Sequence, residues 1–150
     1  MTEMTRDAIS QALFEFVKQK GFEAELYDNG YIGFEHDGSE FGLAVDEEDT
    51  LCYHVILSNV TQVDVVASVM EIEDEDAAKL GAMSAAMVVM AYTSAKVLID
   101  DENQLDVKID LLCPSPEVFN SLLLHAMQIL IDAGELLLKT LLRQAGHSAG

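Results

Sequence analysis

The sequence predicts one α+β domain in which an antiparallel sheet packs against helices, in the order α-β-β-β(-β)-α-β-β-α. Apolar residues recur with helical spacing near both ends and in the middle of the chain, and the segments between these helices alternate with period two. Asn-Gly and Asp-Gly pairs, which are typical of hairpin turns, separate the alternating segments. The 150 residues suffice for one core. We expect a single domain over residues 1–150, with frayed ends at 1–4 and 145–150.

The first helix is predicted over residues 5–20. Acids or Arg lie early in this segment and lysines lie late, which suits the helix dipole, and Gly21 follows in the stop position. One stripe of the helix is apolar: Ile9, Leu13, Phe16 and Val17. The stripe should face the core.

Three strands follow as a meander, at residues 22–26, 31–35 and 41–45. Asp28-Asn29-Gly30 and then Asp37-Gly38 supply the turns, because these residue types tolerate positive φ. Residues 51–57 are rich in β-branched and aromatic side chains and predict a possible fourth strand.

The second half of the chain begins with a helix that runs to about residue 92, with the acids of residues 73–76 at its start. Two strands are predicted at residues 96–99 and 105–111, the second alternating cleanly as a half-buried strand. Ser115 and Pro116 then start a third helix, which can run to residue 144. Residues 60–72 have a mixed pattern and receive no assignment.

Charge excludes several classes of partner. The chain has 27 acidic and 8 basic residues, a net charge of −19, and no Lys or Arg between residues 21 and 78. Nucleic acids and anionic membranes need clustered Lys and Arg, so we expect neither as a partner, and a basic protein or peptide fits better. High negative charge is also a common route to solubility. The longest apolar run is too short to cross a bilayer, and no signal peptide is evident, so we expect a soluble, cytoplasmic protein.

No motif indicates catalysis, and we predict that the protein is not an enzyme. The sequence contains no GxSxG, P-loop or GxGxxG pattern, and its glycines are expected in turns or at helix ends. Cys52 and His54 lie two residues apart on a predicted strand and therefore share a face, which would allow a shared metal ion. A thiol and an imidazole at a partly buried sheet position are the simpler interpretation. We therefore predict no metal and no cofactor.

Two helices have more apolar surface than one domain needs. The middle helix interleaves small residues with methionines, and the third helix is apolar nearly all round. Either helix could simply be the most buried element of a monomer. Self-association would also cover both, so we expect a homodimer.

The order of elements, the size and the acidity resemble the class I type III secretion chaperones, the Tir chaperone-like fold, and the YbjN-like bacterial proteins that share it. The likeness covers residues 5–144. Its most suggestive local piece is the short meander of residues 30–46, after the first helix.

For a secretion chaperone the resemblance implies a non-enzymatic bacterial homodimer that holds a segment of a partner, such as a secreted effector, in extended form until export. The middle helix would form the dimer interface through Gly81, Ala85, Met87 and Val88. The candidate partner-binding residues are Phe14, Phe34, Leu43, Val45 and Ile56, each of a type that also fills ordinary cores. The alternative is a YbjN-like regulatory protein of the same fold without an export client.

Overall fold

A computed structural model describes residues 5–149, with side chains as far as residue 146. The predicted fraying of residues 1–4 lies outside the described residues, as does Gly150, whereas residues 145–149 are helical. The chain forms two compact units. The first comprises residues 1–56 and 109–127, and the second comprises residues 57–108 and 128–150. That the whole chain is one domain stays a prediction.

The α+β class and the predicted order of elements are confirmed, with one added helix. Six antiparallel strands form one sheet in the order β1-β2-β3-β4-β6-β5. The elements along the chain are α1 Arg6–Gln19, β1 Ala24–Leu26, β2 Ile32–His36, β3 Ser39–Val45, β4 Cys52–Gln62, α2 Val63–Met70, α3 Glu75–Tyr92, β5 Lys96–Ile99, β6 Gln104–Leu112 and α4 Pro116–Ala149.

Helix α1 begins and ends for local reasons. Thr5 caps its N-terminus, since the Thr5 hydroxyl oxygen accepts a hydrogen bond from the amide of Ala8 at 3.1 Å. Gly21 follows the last turn with φ of 91°, a conformation that glycine adopts without steric cost. The helix buries Ile9, Leu13 and Val17, as its apolar stripe predicts.

The strands of the first unit have one buried face. β2 and β3 pair with Ile32 opposite Leu43 and Phe34 opposite Phe41, and all four side chains are buried. In β4, Tyr53 and Val55 are buried, and the Tyr53 ring stacks on Phe119 of α4 at 4.8 Å between ring centroids. The alternate residues of these strands form the less buried face, which carries His54 and its two carboxylate neighbours.

Helix α2 falls in the segment that received no assignment from the sequence. It is rich in β-branched Val, which favours strands, and its N-cap Gln62 makes no side-chain capping hydrogen bond. It ends at Glu71, a non-glycine residue with φ of 56°. Its stability comes from packing against α3, because Val63 and Val66 are buried.

Helix α4 is 34 residues long. Residues 116–146 are long and apolar enough to cross a membrane by length and composition, which corrects the expectation that no segment reaches that length. A buried helix of a folded core passes the same test, and one stripe of α4 is buried along its length. The buried stripe consists of Phe119, Leu123, Ala126, Leu130, Ala133, Leu137 and Leu141.

Candidate functional site

The five predicted partner-binding residues divide by burial. Phe34, Leu43 and Val45 belong to the core, whereas Phe14 and Ile56 are partly exposed. The ammonium of Lys18 lies 4.3 Å from the centre of the Phe14 ring. Only Phe14 and Ile56 present surface for a partner in this conformation, and the role of all five stays a prediction.

Strand β1 forms one edge of the sheet. The amide of Tyr27 donates to the carbonyl of Tyr31 at 2.9 Å, so these two residues form a hydrogen-bonded pair. Hydrogen-bonded and non-hydrogen-bonded pairs alternate in an antiparallel ladder. Ala24 and Leu26 therefore form non-hydrogen-bonded pairs with β2, and their amide and carbonyl groups point away from it. No other strand within residues 5–149 pairs with this edge.

An aromatic cluster adjoins β1. The Phe22 ring stacks on Phe34 at 5.3 Å and meets the His36 ring edge-on at 5.0 Å. An open groove of about 440 Å³ lies here, lined by residues 20–23 and 35–38. The acids around it are exposed: Glu23, Glu25, Glu35 and Asp37. The lining of the groove thus combines the Phe22 and His36 rings with three acids and Lys20.

The opposite sheet edge has a different character. On β5, Lys96 is exposed and lies opposite Lys108 of β6. Lysine on an edge strand discourages the addition of another strand. Of the two edges, β1 is the better suited to an extended partner.

Helix α3 presents an apolar stripe to solvent. Leu80, Met83, Met87 and Met90 follow helical spacing and expose between 42% and 68% of their surface. Met87 is the only predicted dimer residue on this stripe. Ala85 is buried, Val88 is half-buried, and Gly81 lies against Met70 of α2, whose sulfur is 2.9 Å from where a Cβ at Gly81 would be. Gly81 and Ala85 thus pack within the chain in this conformation, and the place of all four residues in a dimer interface stays a prediction.

A polar cluster lies on the less buried face of the first unit. His54 of β4 contacts two carboxylates: its Nδ1 lies 2.6 Å from Asp110 Oδ1, and its Nε2 lies 3.0 Å from Asp46 Oδ1. Cys52 lies on the same face of β4, as its spacing from His54 predicts. Sequence reasoning missed Asp46 and Asp110, because their approach to His54 depends on strand pairing that a single sequence does not reveal.

The pKa values of Asp46, in this cluster, and of Cys113, a buried cysteine, shift in opposite directions. The hydrogen bond from His54, together with backbone bonds from Glu48 and Asp49, lowers the pKa of Asp46 below its usual value. Burial raises the pKa of Cys113, so this thiol stays protonated and unreactive.

The six-stranded antiparallel sheet with its helices has the type III secretion chaperone fold, as the sequence resemblance implies. One chain of the HopA1–SchA chaperone–effector complex superposes with a TM-score of 0.57 at 11% identity, covering 89% of this chain and 96% of that chain. A chain from the crystal structure of the Yersinia pestis type III secretion chaperone SycH, in complex with a stable fragment of YscM2, superposes with a TM-score of 0.53 at 13% identity. It covers 86% of this chain and 98% of its own length.

At these identities the likeness defines the fold and not the function. No family model matches the chain, and no curated protein does. The YbjN-like alternative stays a prediction.

Proposed function

We propose that this protein is a non-enzymatic, cytoplasmic chaperone that binds an extended segment of a partner protein along β1, and that it acts as a homodimer. The observation that carries the proposal is the fold, which it shares over most of its length with chains of two chaperone complexes. The partner, by analogy with those complexes, is an effector-like protein held before export.

Strand β1 supplies the means of binding. An extended segment that adds to an edge strand gains main-chain hydrogen bonds, while its alternate side chains enter neighbouring pockets. The outward amides and carbonyls of Ala24 and Leu26 fit the first requirement. The Phe22 ring, which lines the adjoining groove, fits the second.

Charge defines the partner further. The exposed acids beside β1 favour a segment with Lys or Arg at intervals, and the Phe22 ring favours apolar residues between them. Lys20 also lines the groove, but its ammonium donates a hydrogen bond to the side-chain oxygen of Asn120. The proposed ligand is therefore an apolar, basic segment in extended conformation.

A dimer is supported by the exposed stripe of α3. Methionine side chains adapt to an irregular partner surface, and a second copy of the same helix would cover Met83, Met87 and their neighbours. The dimer interface is thus proposed to lie along this stripe and not at Gly81 or Ala85.

A peptide titration tests the binding mode. The probe is a fluorescent peptide of alternating Val and Lys, and the comparison peptide alternates Val and Glu. We expect the basic peptide to bind at least about tenfold more tightly, since like charges repel the acidic one. Equal binding of the two peptides, or binding of neither, would contradict the proposal.

Two proline variants locate the edge. Ala24→Pro removes an amide that points away from β2, and an edge strand tolerates such a proline. The matched control is Ile99→Pro, because Asp100 pairs with Gln104 and Ile99 therefore points outward from β5 in the same way. We expect Ala24→Pro alone to weaken peptide binding while both variants unfold cooperatively. Loss of binding in Ile99→Pro alone would assign the partner to the other edge.

A further inference from the structure

Three different metal-ligating groups converge on the less buried face of the first unit. The ligating atoms of Asp46, Cys52 and His54 all lie within 4.8 Å of one another. In a tetrahedral site the ligand atoms lie about 2.0–2.3 Å from the metal, which separates the ligand atoms from one another by about 3.3–3.8 Å. Small side-chain adjustments would bring the three groups around one ion.

The imidazole of His54 is oriented by a second carboxylate. Its Nδ1 lies 2.6 Å from Asp110 Oδ1, and its Nε2 lies 3.0 Å from Asp46 Oδ1. In the tautomer that binds a metal through Nε2, Nδ1 carries the proton and donates to Asp110. Metal-binding histidines usually donate a hydrogen bond from their other ring N–H to such a carboxylate. This hydrogen bond fixes the tautomer and raises the basicity of the ligating nitrogen. Asp110 therefore has the place of a positioning residue.

Asp46 is also held in place before any ion binds. Its Oδ2 accepts hydrogen bonds from the amides of Glu48 at 3.0 Å and Asp49 at 3.1 Å, while Oδ1 faces His54. The amide of Asp46 donates to the carbonyl of Cys52, which ties the loop to the start of β4. Asp46 and His54 are thus held by their other contacts so that Asp46 Oδ1 and His54 Nε2 face each other.

The cluster is accessible. A pocket of about 250 Å³ is lined by Arg6, Tyr31, Asp46 and His54 among other residues, and Cys52 is only partly buried. Arg6 directs its Nε to the carbonyl of Val45 at 3.1 Å. An ion can therefore reach Asp46 and His54 from solvent.

We propose that Asp46, Cys52 and His54 bind one Zn²⁺ ion, with Asp110 positioning His54. A thiolate, an imidazole and a carboxylate form a donor set suited to zinc and unsuited to Mg²⁺ or Ca²⁺, which prefer oxygen ligands alone. Zinc binds cysteine as the thiolate, so binding releases the proton of the Cys52 thiol.

Cobalt absorption tests the proposal, because Co²⁺ substitutes for zinc and reports its ligands. The reduced, chelator-treated protein is titrated with Co²⁺ in excess Mg²⁺, which occupies the many surface carboxylates. We expect one equivalent to give the visible bands of tetrahedral cobalt and a thiolate-to-cobalt band. One equivalent of Zn²⁺ should abolish both. Octahedral cobalt without a thiolate band, or displacement by Mg²⁺, would overturn the proposal.

Variants assign the ligands. Cys52→Ser should remove the thiolate band, His54→Ala should abolish stoichiometric binding, and Asp110→Asn should weaken affinity about 10- to 100-fold. The matched controls are Cys113→Ala, which removes the buried thiol, and His36→Ala, which removes a histidine beside Asp37. Both controls should bind as the wild type does. A thiolate band that persists in Cys52→Ser and disappears in Cys113→Ala would contradict the assignment.

Thiol labelling gives a second measurement that does not depend on cobalt. Zn²⁺ should protect Cys52 from a thiol reagent in the wild type and fail to do so in His54→Ala. Equal labelling of Cys52 with and without Zn²⁺ in the wild type would count against the site.

Discussion

The hydroxyl of Tyr31 lies over Gly42 of the neighbouring strand β3, in the space that a Cβ at this position would occupy. Gly42 pairs with Gly33 of β2, and the Tyr27 ring lies 3.3 Å from where a Cβ at Gly33 would be. Two tyrosines thus cover a cross-strand pair of glycines on the less buried face. Their rings are 6.0 Å apart between centroids.

Gly42→Ala should destabilise the protein. The added methyl group would overlap the Tyr31 ring, and overpacking of this kind costs about 1–3 kcal/mol. The measurement is the free energy of unfolding in urea. Gly33→Ala is the matched control. Its free energy of unfolding should fall by less, because the added Cβ would meet only the edge of the Tyr27 ring.

The loss of stability caused by Gly42→Ala should disappear when the Tyr31 ring is removed. In a Tyr31→Ala background, Gly42→Ala should change stability by less than about 1 kcal/mol, since a strand Ala reduces the entropy of the unfolded chain without meeting a ring. A loss as large as that in the wild-type background would contradict the role assigned to Tyr31.

The glycines show where sequence reasoning ended. Their expected place was in turns or at helix ends, which holds for Gly21, Gly30 and Gly38, all with positive φ. Gly42 lies inside a strand for close approach of a ring, and this cause depends on the pairing of β2 with β3. Turn chemistry is local and can be read from one sequence, whereas a contact across strands cannot.

Ser10→Ala should stabilise the protein by about 1 kcal/mol. Ser10 is 3% exposed, and among the described residues its hydroxyl has no hydrogen-bond partner. Removing a buried, unsatisfied hydroxyl recovers its desolvation penalty, and Ala is also the better helix former. Thermal unfolding of the variant is the measurement.

Ser121→Ala separates these two causes. Ser121 is exposed on α4, and its hydroxyl donates to the carbonyl of Val118 at 2.6 Å. Its replacement changes helix propensity without removing a buried unsatisfied group. We expect a smaller gain than in Ser10→Ala, and an equal gain would assign the whole effect to propensity.

Polar substitutions on α3 should dissociate the proposed dimer. The double variant Met83→Gln, Met87→Gln keeps side-chain size and charge but makes the exposed stripe polar. Light scattering after size exclusion should report twice the chain mass for the wild type and one chain mass for the variant at micromolar concentration.

Exposed leucines of α4 provide the matched control. Leu138→Gln with Leu142→Gln makes an equal change on another exposed apolar surface of the second unit. This control should remain dimeric. A wild-type monomer would contradict the dimer itself, and dissociation by the α4 pair alone would place the interface there.

The exposed surface of α3 could be predicted from the sequence only in part. The resemblance to secretion chaperones implied an interface at Met87, Gly81 and Ala85. Met87 is exposed, whereas Gly81 and Ala85 pack against the chain's own elements. The sequence indicated surplus apolar surface on α3 without indicating which side α2 would cover. Helix α2 itself was missed, so the side left exposed could not be inferred.

Asp106 should make stability depend on pH. Burial raises the pKa of Asp106, and nearby Asp100 raises it further, although the amide of Asn59 donates to its carboxylate. Because the folded-state pKa is above the unfolded value, the folded protein binds the proton more readily. Protonation of Asp106 therefore stabilises the folded protein. The stabilisation is complete below the ordinary pKa range of carboxyl groups and is lost as pH rises through the raised pKa.

Asp106→Asn removes that dependence and keeps an oxygen for the Asn59 amide. We expect the variant to gain stability relative to the wild type as pH increases from about 4 to about 8, measured by urea unfolding at fixed salt. The matched control is Asp101→Asn on the adjoining exposed turn, which removes the same charge. If the Asp101 variant gains as much over this range, the effect reflects the net charge of the protein and not the burial of Asp106.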